Sequence, residues 1–279
     1  MISRRLVMAA APALVLGGGL RAATTGAHGD WLATMMRMRG SLDGRIVAGW
    51  LEAERSTVID GEIAPFCRIL AATVSRFRMM GDACEATTVE VAYYLDPVTG
   101  ALLDSFRFPG AESPVPVPLY RAGPAKIRFA VEVDDWEENE PTAKGAASTA
   151  FAPRSSVRLQ RSIGAPRVHE GSVYMRSNEY GRVYPVRGAP PTIFYREWMI
   201  WRADAADVMG DAPSIPADFM YSALSSWRPW MKMGDIKGHT AENGRGMKLA
   251  SPAAFPDELK ALIRARDPDV LDDPAGVLG

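Results

Sequence analysis

Apolar and polar residues alternate with a period of two through much of the chain between Ile46 and Ala203, and this pattern predicts strands. The strongest run is TTVEVAYYLDPVTGALLDSFRF, where Val89, Val91, Tyr93 and Leu95 share one face and Glu90, Ala92 and Tyr94 the other. Asp96-Pro97-Val98-Thr99-Gly100 interrupts it with a proline that presets a turn and a glycine that permits a left-handed exit, so a hairpin joining two adjacent strands is expected there. Upstream, Phe66–Met79 and Ala86–Leu95 read as a hairpin turning at Met80–Ala83, in which facing residue numbers sum to about 163. Ile46–Leu51 and Thr57–Gly61 read as two short strands, followed later by runs at Lys126–Val133, Ser155–Gln160, Gly171–Arg176, Arg182–Val186 and Pro191–Ala203. A turn is expected at Asn178–Gly181.

Pro109, Pro114, Pro116 and Pro118 break the pattern into an edge or loop, because proline cannot donate to an interior ladder. ENEPTAKGAASTAFAPRSS has no period and reads as a loop. Helical spacing occurs at the two ends of this region: Trp31, Met35 and Met38 between His28 and Gly40, and Leu259, Leu262 and Ile263 in PDELKALIRAR, which Pro268 stops. With no βαβ alternation and no internal repeat, the expected fold is mainly β: one antiparallel, barrel-like domain of the calycin or lipocalin kind with short flanking helices.

The first residues point to export. Arg4 and Arg5 precede a weakly hydrophobic, Ala/Gly-rich run from Leu6 to Leu20 and small residues at Ala22 and Ala23, the pattern of a twin-arginine (Tat) signal. The run is shorter than the roughly 20 residues that span a bilayer. The expected organisation is a signal peptide at 1–23 and a single domain at 24–279, exported folded to the periplasm and free of the membrane after cleavage. In that oxidising compartment a disulfide between Cys67 and Cys84 is chemically permitted, but the hairpin register puts Cys84 opposite Met79 and argues against one.

Charge and motifs narrow the chemistry. With 32 basic and 33 acidic residues the chain has no global field and no Lys/Arg stripe, so nucleic acid is not an expected partner. The three histidines, His28, His169 and His239, are far apart, and no H-E-x-x-H or paired C-x-x-C occurs, so no metal site is expected. Neither G-x-S-x-G, P-loop nor dinucleotide fingerprint follows a strand, and no cofactor is expected.

Tyrosine, arginine, carboxylate and indole chemistry is left. In IFYREWMIWRADAADV, Ile193, Tyr195, Glu197, Met199 and Trp201 point one way and Phe194, Arg196, Trp198, Ile200 and Arg202 the other; both faces are largely apolar, so both are expected to be covered. Enclosure would raise the pKa of Glu197 and suit it to acid/base work, while the bland alternative pairs it with Arg176 or Arg182 at a barrel rim. SVYMRSNEYGRVYPV adds Tyr174 and Arg176, which together could hold a phenolate, enolate or carboxylate oxygen, or could simply cover a sheet. SSWRPWMKMGD is too apolar to lie in water, and Pro229 and Gly234 prevent a regular element. It should close a pocket or barrel end with Trp227 and Trp230, and a helical turn would align Arg228 with Lys232 toward an anion.

WRPWMKMGDIKGHTAENGRGMKL, together with YYLDPVTGALL and FPDELKALI, resembles the family called domain of unknown function 1838, over roughly Trp31 to Pro268. Many bacterial members of that family carry Tat signals, and the resemblance implies no mechanism. Two functions are expected from the residues. One is a cofactor-independent lyase or isomerase acting on a small apolar or aromatic molecule, with Glu197, Tyr174 and Tyr195 catalytic and Arg176, Trp201, Trp227, Arg228, Trp230 and Lys232 binding substrate. The other is a lipocalin-like binding protein with the same pocket and no chemistry. A scaffold whose tryptophans meet a partner protein is a third, and requires the tryptophan block to be exposed.

Overall fold

The computed structural model describes residues 28–138, 156–185 and 190–279. The expected signal peptide, 1–23, and most of the polar stretch after Glu138 lie outside the described residues.

The chain enters through helix α1 (His28–Arg39) and then runs almost entirely as strand. The strands are β1 (Ile46–Ile59), β2 (Glu62–Met80), β3 (Ala83–Leu95), the two-residue β4 (Ser105–Phe106) and β5 (Val115–Pro116), β6 (Tyr120–Phe129), β7 (Glu132–Glu138), β8 (Ser156–Ile163), β9 (Arg167–His169), β10 (Ser172–Tyr184) and β11 (Ile193–Asp204). After helix α2 (Ala205–Met209) come β12 (Asp218–Ser226) and β13 (His239–Leu249), and the chain ends in helices α3 (Asp257–Arg266) and α4 (Asp269–Asp272).

The large sheet has the order β6-β3-β2-β1-β13-β12-β11-β10-β8-β7, with β9 on β10 and every pairing antiparallel. Its two edges, β6 and β7, are consecutive strands of the chain, so the sheet curls into a nearly closed barrel with one unpaired seam. The mainly β, antiparallel, barrel-like single domain expected from the alternation is thus the observed fold. α1 closes one end, where Leu32, Met35, Met36 and Met38 are buried. At the other end Phe66, Phe106, Phe108 and Trp230 pack together, with ring centroids 4.5 to 6.2 Å apart.

Strand β3 is covered on both sides for a definite reason. Ala86, Ala92 and Tyr94 face the barrel interior, while Val89, Val91, Tyr93 and Leu95 face outward beneath Phe255, Leu259, Ile263, Val270 and Leu278 of the C-terminal segment. Ion pairs pin this cover: Arg121 reaches Asp267 at 2.9 Å and Asp269 at 2.7 Å, and the Tyr93 hydroxyl donates to Asp267 at 2.7 Å. β11 is different. Its inward face is buried, but the outward face, expected to be covered, is open, with Phe194 42% and Ile200 43% exposed, because the C-terminal helices lie over β1–β3 instead.

The β2–β3 register pairs Met79 with Cys84 and Met80 with Ala83, as expected, and Cys67 and Cys84 are free and buried. The Asp96–Gly100 turn is present, with Gly100 at φ 72°, but only one bridge, Leu95 with Leu102, follows it. The prolines beyond steer the chain away, and β6 takes the place beside β3. Three other expectations are corrected. β1 is one strand with a bulge between Arg55 and Ser56, not two. The expected turn at Asn178–Gly181 is strand, since β10 is continuous; Gly181 is there because a Cβ would lie 2.1 Å from the Tyr195 ring. Lastly, β12 and β13 extend the sheet past the alternation read from the sequence. The inward side of β13 carries Thr240, Glu242, Gly244 and Gly246, too polar and too small to announce a core strand. A Cβ on Gly246 would come 2.3 Å from the Phe219 ring, so the glycine lets β13 pass flush against it.

Candidate functional site

The barrel encloses two adjoining spaces, of about 350 Å³ toward α1 and about 100 Å³ toward the tryptophan end. Glu90, Tyr120, Tyr195, Glu197, Tyr221 and Arg228 line both and form a polar waist between them. Above the waist the larger space is walled by Met35, Met36, Phe77, Phe129, Trp201 and Phe219. Below it the smaller one ends on Arg55, Tyr94, Trp230 and Glu242. Ile127 and Phe129 on β6, and Arg161 and Ile163 on β8, also line the larger space, so it abuts the unpaired seam.

Four glutamates share this interior, and their partners divide them into two kinds. Arg55 bonds Glu242 at 2.7 Å. Arg161 bonds Glu179 at 2.6 Å, and the Tyr195 hydroxyl donates to the same carboxylate at 2.9 Å. Glu90 and Glu197, by contrast, make no hydrogen bond or ion pair among the described residues.

The register explains how Glu197 came to this state. It sits directly opposite Glu179 on the same inward face, and like charges facing one another across strands repel. Arg161 pairs with Glu179 while Glu197 has no such partner among the described residues, so the cost falls on Glu197. Burial, together with Glu179, Glu242 and Glu90, pushes its pKa up to about 8, while Arg228 opposes the rise. Burial and the two paired carboxylates raise Glu90 to about 7. The waist therefore holds two carboxyl groups that exchange protons near neutral pH, among three tyrosine hydroxyls and one guanidinium.

Of the residues singled out from the sequence, Glu197, Tyr195, Trp201, Arg228 and Trp230 face these spaces. The Arg228 guanidinium lies over the Tyr195 ring, 5.6 Å from its centroid. Trp201 packs on Phe219 at 4.5 Å. The others are placed elsewhere. Tyr174 and Arg176 occupy the outward positions of β10, whose inward positions are Val173 and Met175, so neither reaches the interior. Arg176 and Arg182, the bland partners for Glu197, are outward for the same reason of parity. Trp227 is half-buried in the plug, its indole N–H donating to the Ile236 carbonyl at 2.8 Å, but it does not line the cavity.

Lys232 is exposed. The expected helical turn is a single 3-10 turn, Pro229–Met231, and Lys232 follows it in the left-handed region at φ 51° and lines neither space, whereas Arg228 lines both. Met231 and Met233 are buried, so the tryptophan block folds inward as a plug and does not form the exposed surface that a scaffold would need.

Sequence reasoning missed Glu90, Glu179, Glu242, Tyr120, Tyr221, Arg39 and Arg161. A signal existed for Glu90, the single charge in the run Val89–Leu95, which is otherwise apolar on both faces. For Glu179 the wrongly placed turn at Asn178–Gly181 hid the strand, and Glu242 lies on a strand with no apolar pattern. Among the described residues no three of His, Cys, Asp and Glu form a group that could hold a metal ion. Burial pushes the Cys67 thiol up to about 12, which leaves it unreactive.

The fold and site define a small barrel with an enclosed, ionisable interior. Residues 194–277, from β11 to the C-terminal helices, match the family model described as "Protein of unknown function (DUF1838)", in agreement with the resemblance seen in the sequence. The match takes in Tyr195, Glu197, Trp201, Tyr221, Arg228, Trp230 and Glu242, whereas Glu90, Tyr120 and Glu179 lie before it. Among curated proteins none matches this sequence.

Proposed function

We propose that this protein is an acid/base enzyme of the lyase or isomerase type, acting without a cofactor on a small, largely apolar or aromatic molecule held in the larger space. One observation carries the reading: Glu90 and Glu197 line the cavity without an ion-pair partner among the described residues, and both titrate near neutral pH. One carboxylate takes a proton from a C–H bond next to a substrate carbonyl, and the electron pair moves onto the carbonyl oxygen. Arg228 and a tyrosine hydroxyl stabilise that oxyanion. The other carboxyl group then returns a proton to a different carbon, which isomerises the substrate, or protonates a departing group, which makes the step an elimination. In either case the proton count balances within the pair.

We further propose that residues 1–23 direct Tat export and that the mature protein works in the periplasm; a preassembled polar interior suits a route that carries folded chains. The alternative function, a lipocalin-like carrier, uses the same walls without proton transfer. Mass spectrometry of small molecules that copurify with the mature protein identifies the ligand, and turnover by Glu90→Gln and Glu197→Gln separates the readings. The enzyme reading expects both variants to bind and neither to turn over; the carrier reading expects no conversion by the wild type.

A further inference from the structure

Arg39, like Lys248, is a cationic side chain lining the larger space that none of the polar chemistry above uses. It is the last residue of α1, lines the larger space, and makes no hydrogen bond or ion pair among the described residues. Its guanidinium lies over two aromatic faces, 4.7 Å from the centroid of Phe129 and 5.4 Å from that of Trp201. Aromatic faces offer a cation attraction but accept none of its five N–H donors in the plane. Burial lowers its pKa to about 10 despite the opposing pull of Glu179 and Glu197, and no carboxylate contacts it among the described residues. The indole Nε1 of Trp201 is a second buried donor on this wall with no acceptor among the described residues.

The position is held firmly. Gly40, next in the chain, sits so close to Phe77 that a Cβ would lie 2.2 Å from its ring. Lys248 Nζ donates to the carbonyls of Arg37 and Gly40, the latter at 3.1 Å, and to Ser214 Oγ at 2.8 Å, which ties the end of α1 to β13. A cation fixed in an apolar wall without an anion is costly to the folded state, and such costs are retained where a ligand repays them.

From this we infer that Arg39 is the anion-binding residue of the larger space and that the ligand is a flat aromatic or apolar carboxylate. Its carboxylate meets the guanidinium plane of Arg39 in a two-point contact, its body lies between Phe77, Phe129, Trp201 and Phe219, and its far end reaches the Glu90–Glu197 waist. A space of about 150 Å³ takes a benzene ring, so about 350 Å³ suits a fused bicyclic acid or a ring with a short acidic arm. This inference rests on the proposed reading of the same cavity and names the chemical class of its substrate.

The test titrates full-length protein with benzoate, 2-naphthoate and indole-3-acetate, each against its neutral amide, by calorimetry. The wild type is expected to prefer at least one carboxylate over its amide, and Arg39→Gln to lose roughly tenfold to a hundredfold in carboxylate affinity while keeping that for the amide. The ligand-free variant should melt no lower than the wild type. Equal binding of acid and amide by the wild type, no binding of any acid, or unchanged acid affinity in Arg39→Gln overturns the inference. Should Arg39→Gln lose the amide as well, Arg39→Lys decides: a retained preference for the acid supports the inference, and its loss refutes it. Glu197→Gln should keep the acid preference, so a failure of the catalytic reading leaves this result standing and is distinguishable from it.

Discussion

Replacing Glu197 by glutamine keeps the shape of the side chain and removes its charge, and its effect on stability follows from the register. An ordinary glutamate ionises near 4.3, whereas Glu197 is pushed up to about 8 by burial and by Glu179 opposite. Below pH ~4 the group is protonated in both the folded and the unfolded chain and costs nothing. As pH rises from there toward 8 the unfolded chain ionises while the folded one holds its proton, so the wild type loses stability across that window. Above it the cost is constant. At about 1.4 kcal/mol for each tenfold change in proton affinity the full cost is roughly 5 kcal/mol, and water in the cavity reduces it to about 2–4 kcal/mol. Glu197→Gln should therefore match the wild type at pH 4 and exceed it by about 2–4 kcal/mol at pH 8, a large part of a typical folding free energy. Reversible urea unfolding at pH 4, 6 and 8 measures this. An equal dependence on pH in the two proteins would refute the claim that Glu197 is held protonated by its surroundings, and with it the acid/base pair.

Two further outcomes are expected. Arg228→Gln should weaken binding or turnover of the copurifying ligand by about 1–3 kcal/mol, whereas Lys232→Gln, on the outer side of the plug, should change neither; titration of both variants decides, and equal effects would sink the placement of Arg228 at the waist. Changing Arg4 and Arg5 together to lysine should leave the protein folded in the cytoplasm, since the Tat receptor reads paired arginines and a general secretory signal needs only positive charge; fractionation showing normal periplasmic recovery would defeat the Tat assignment.

How much could be read in advance differs from element to element. The β2–β3 hairpin was legible to the residue because the Met80–Ala83 turn fixes a register; that register argued against a Cys67–Cys84 bridge, and both cysteines are free in the structure. The helices α1 and α3 were legible from their apolar spacing and their terminating glycine and proline. In the site, Glu197 and Tyr195 were found because they share parity with Trp201 on a strand whose alternation is clear. Tyr174 and Arg176 were misplaced for the same kind of reason. A strand shows which residues share a face, but β10 does not show which face is inward until the barrel closes around Val173 and Met175.

By itself, then, the order of residues determined the local terms: strand period, turn chemistry, helix ends, and the apolar double face of β3. Those depend on neighbours a few positions away, and side-chain sterics and backbone hydrogen bonding settle them there. The tertiary structure alone decided which charges meet. Glu179 and Glu197 meet across the β10–β11 pairing, but Glu90 on β3 and Glu242 on β13 are far from that pair in the chain. They converge only because a nearly closed sheet turns every second residue of each strand toward one axis. Once they converge, two arginines are in reach of two of them, and the low polarizability of the enclosed space leaves the other two to hold their protons near neutral pH.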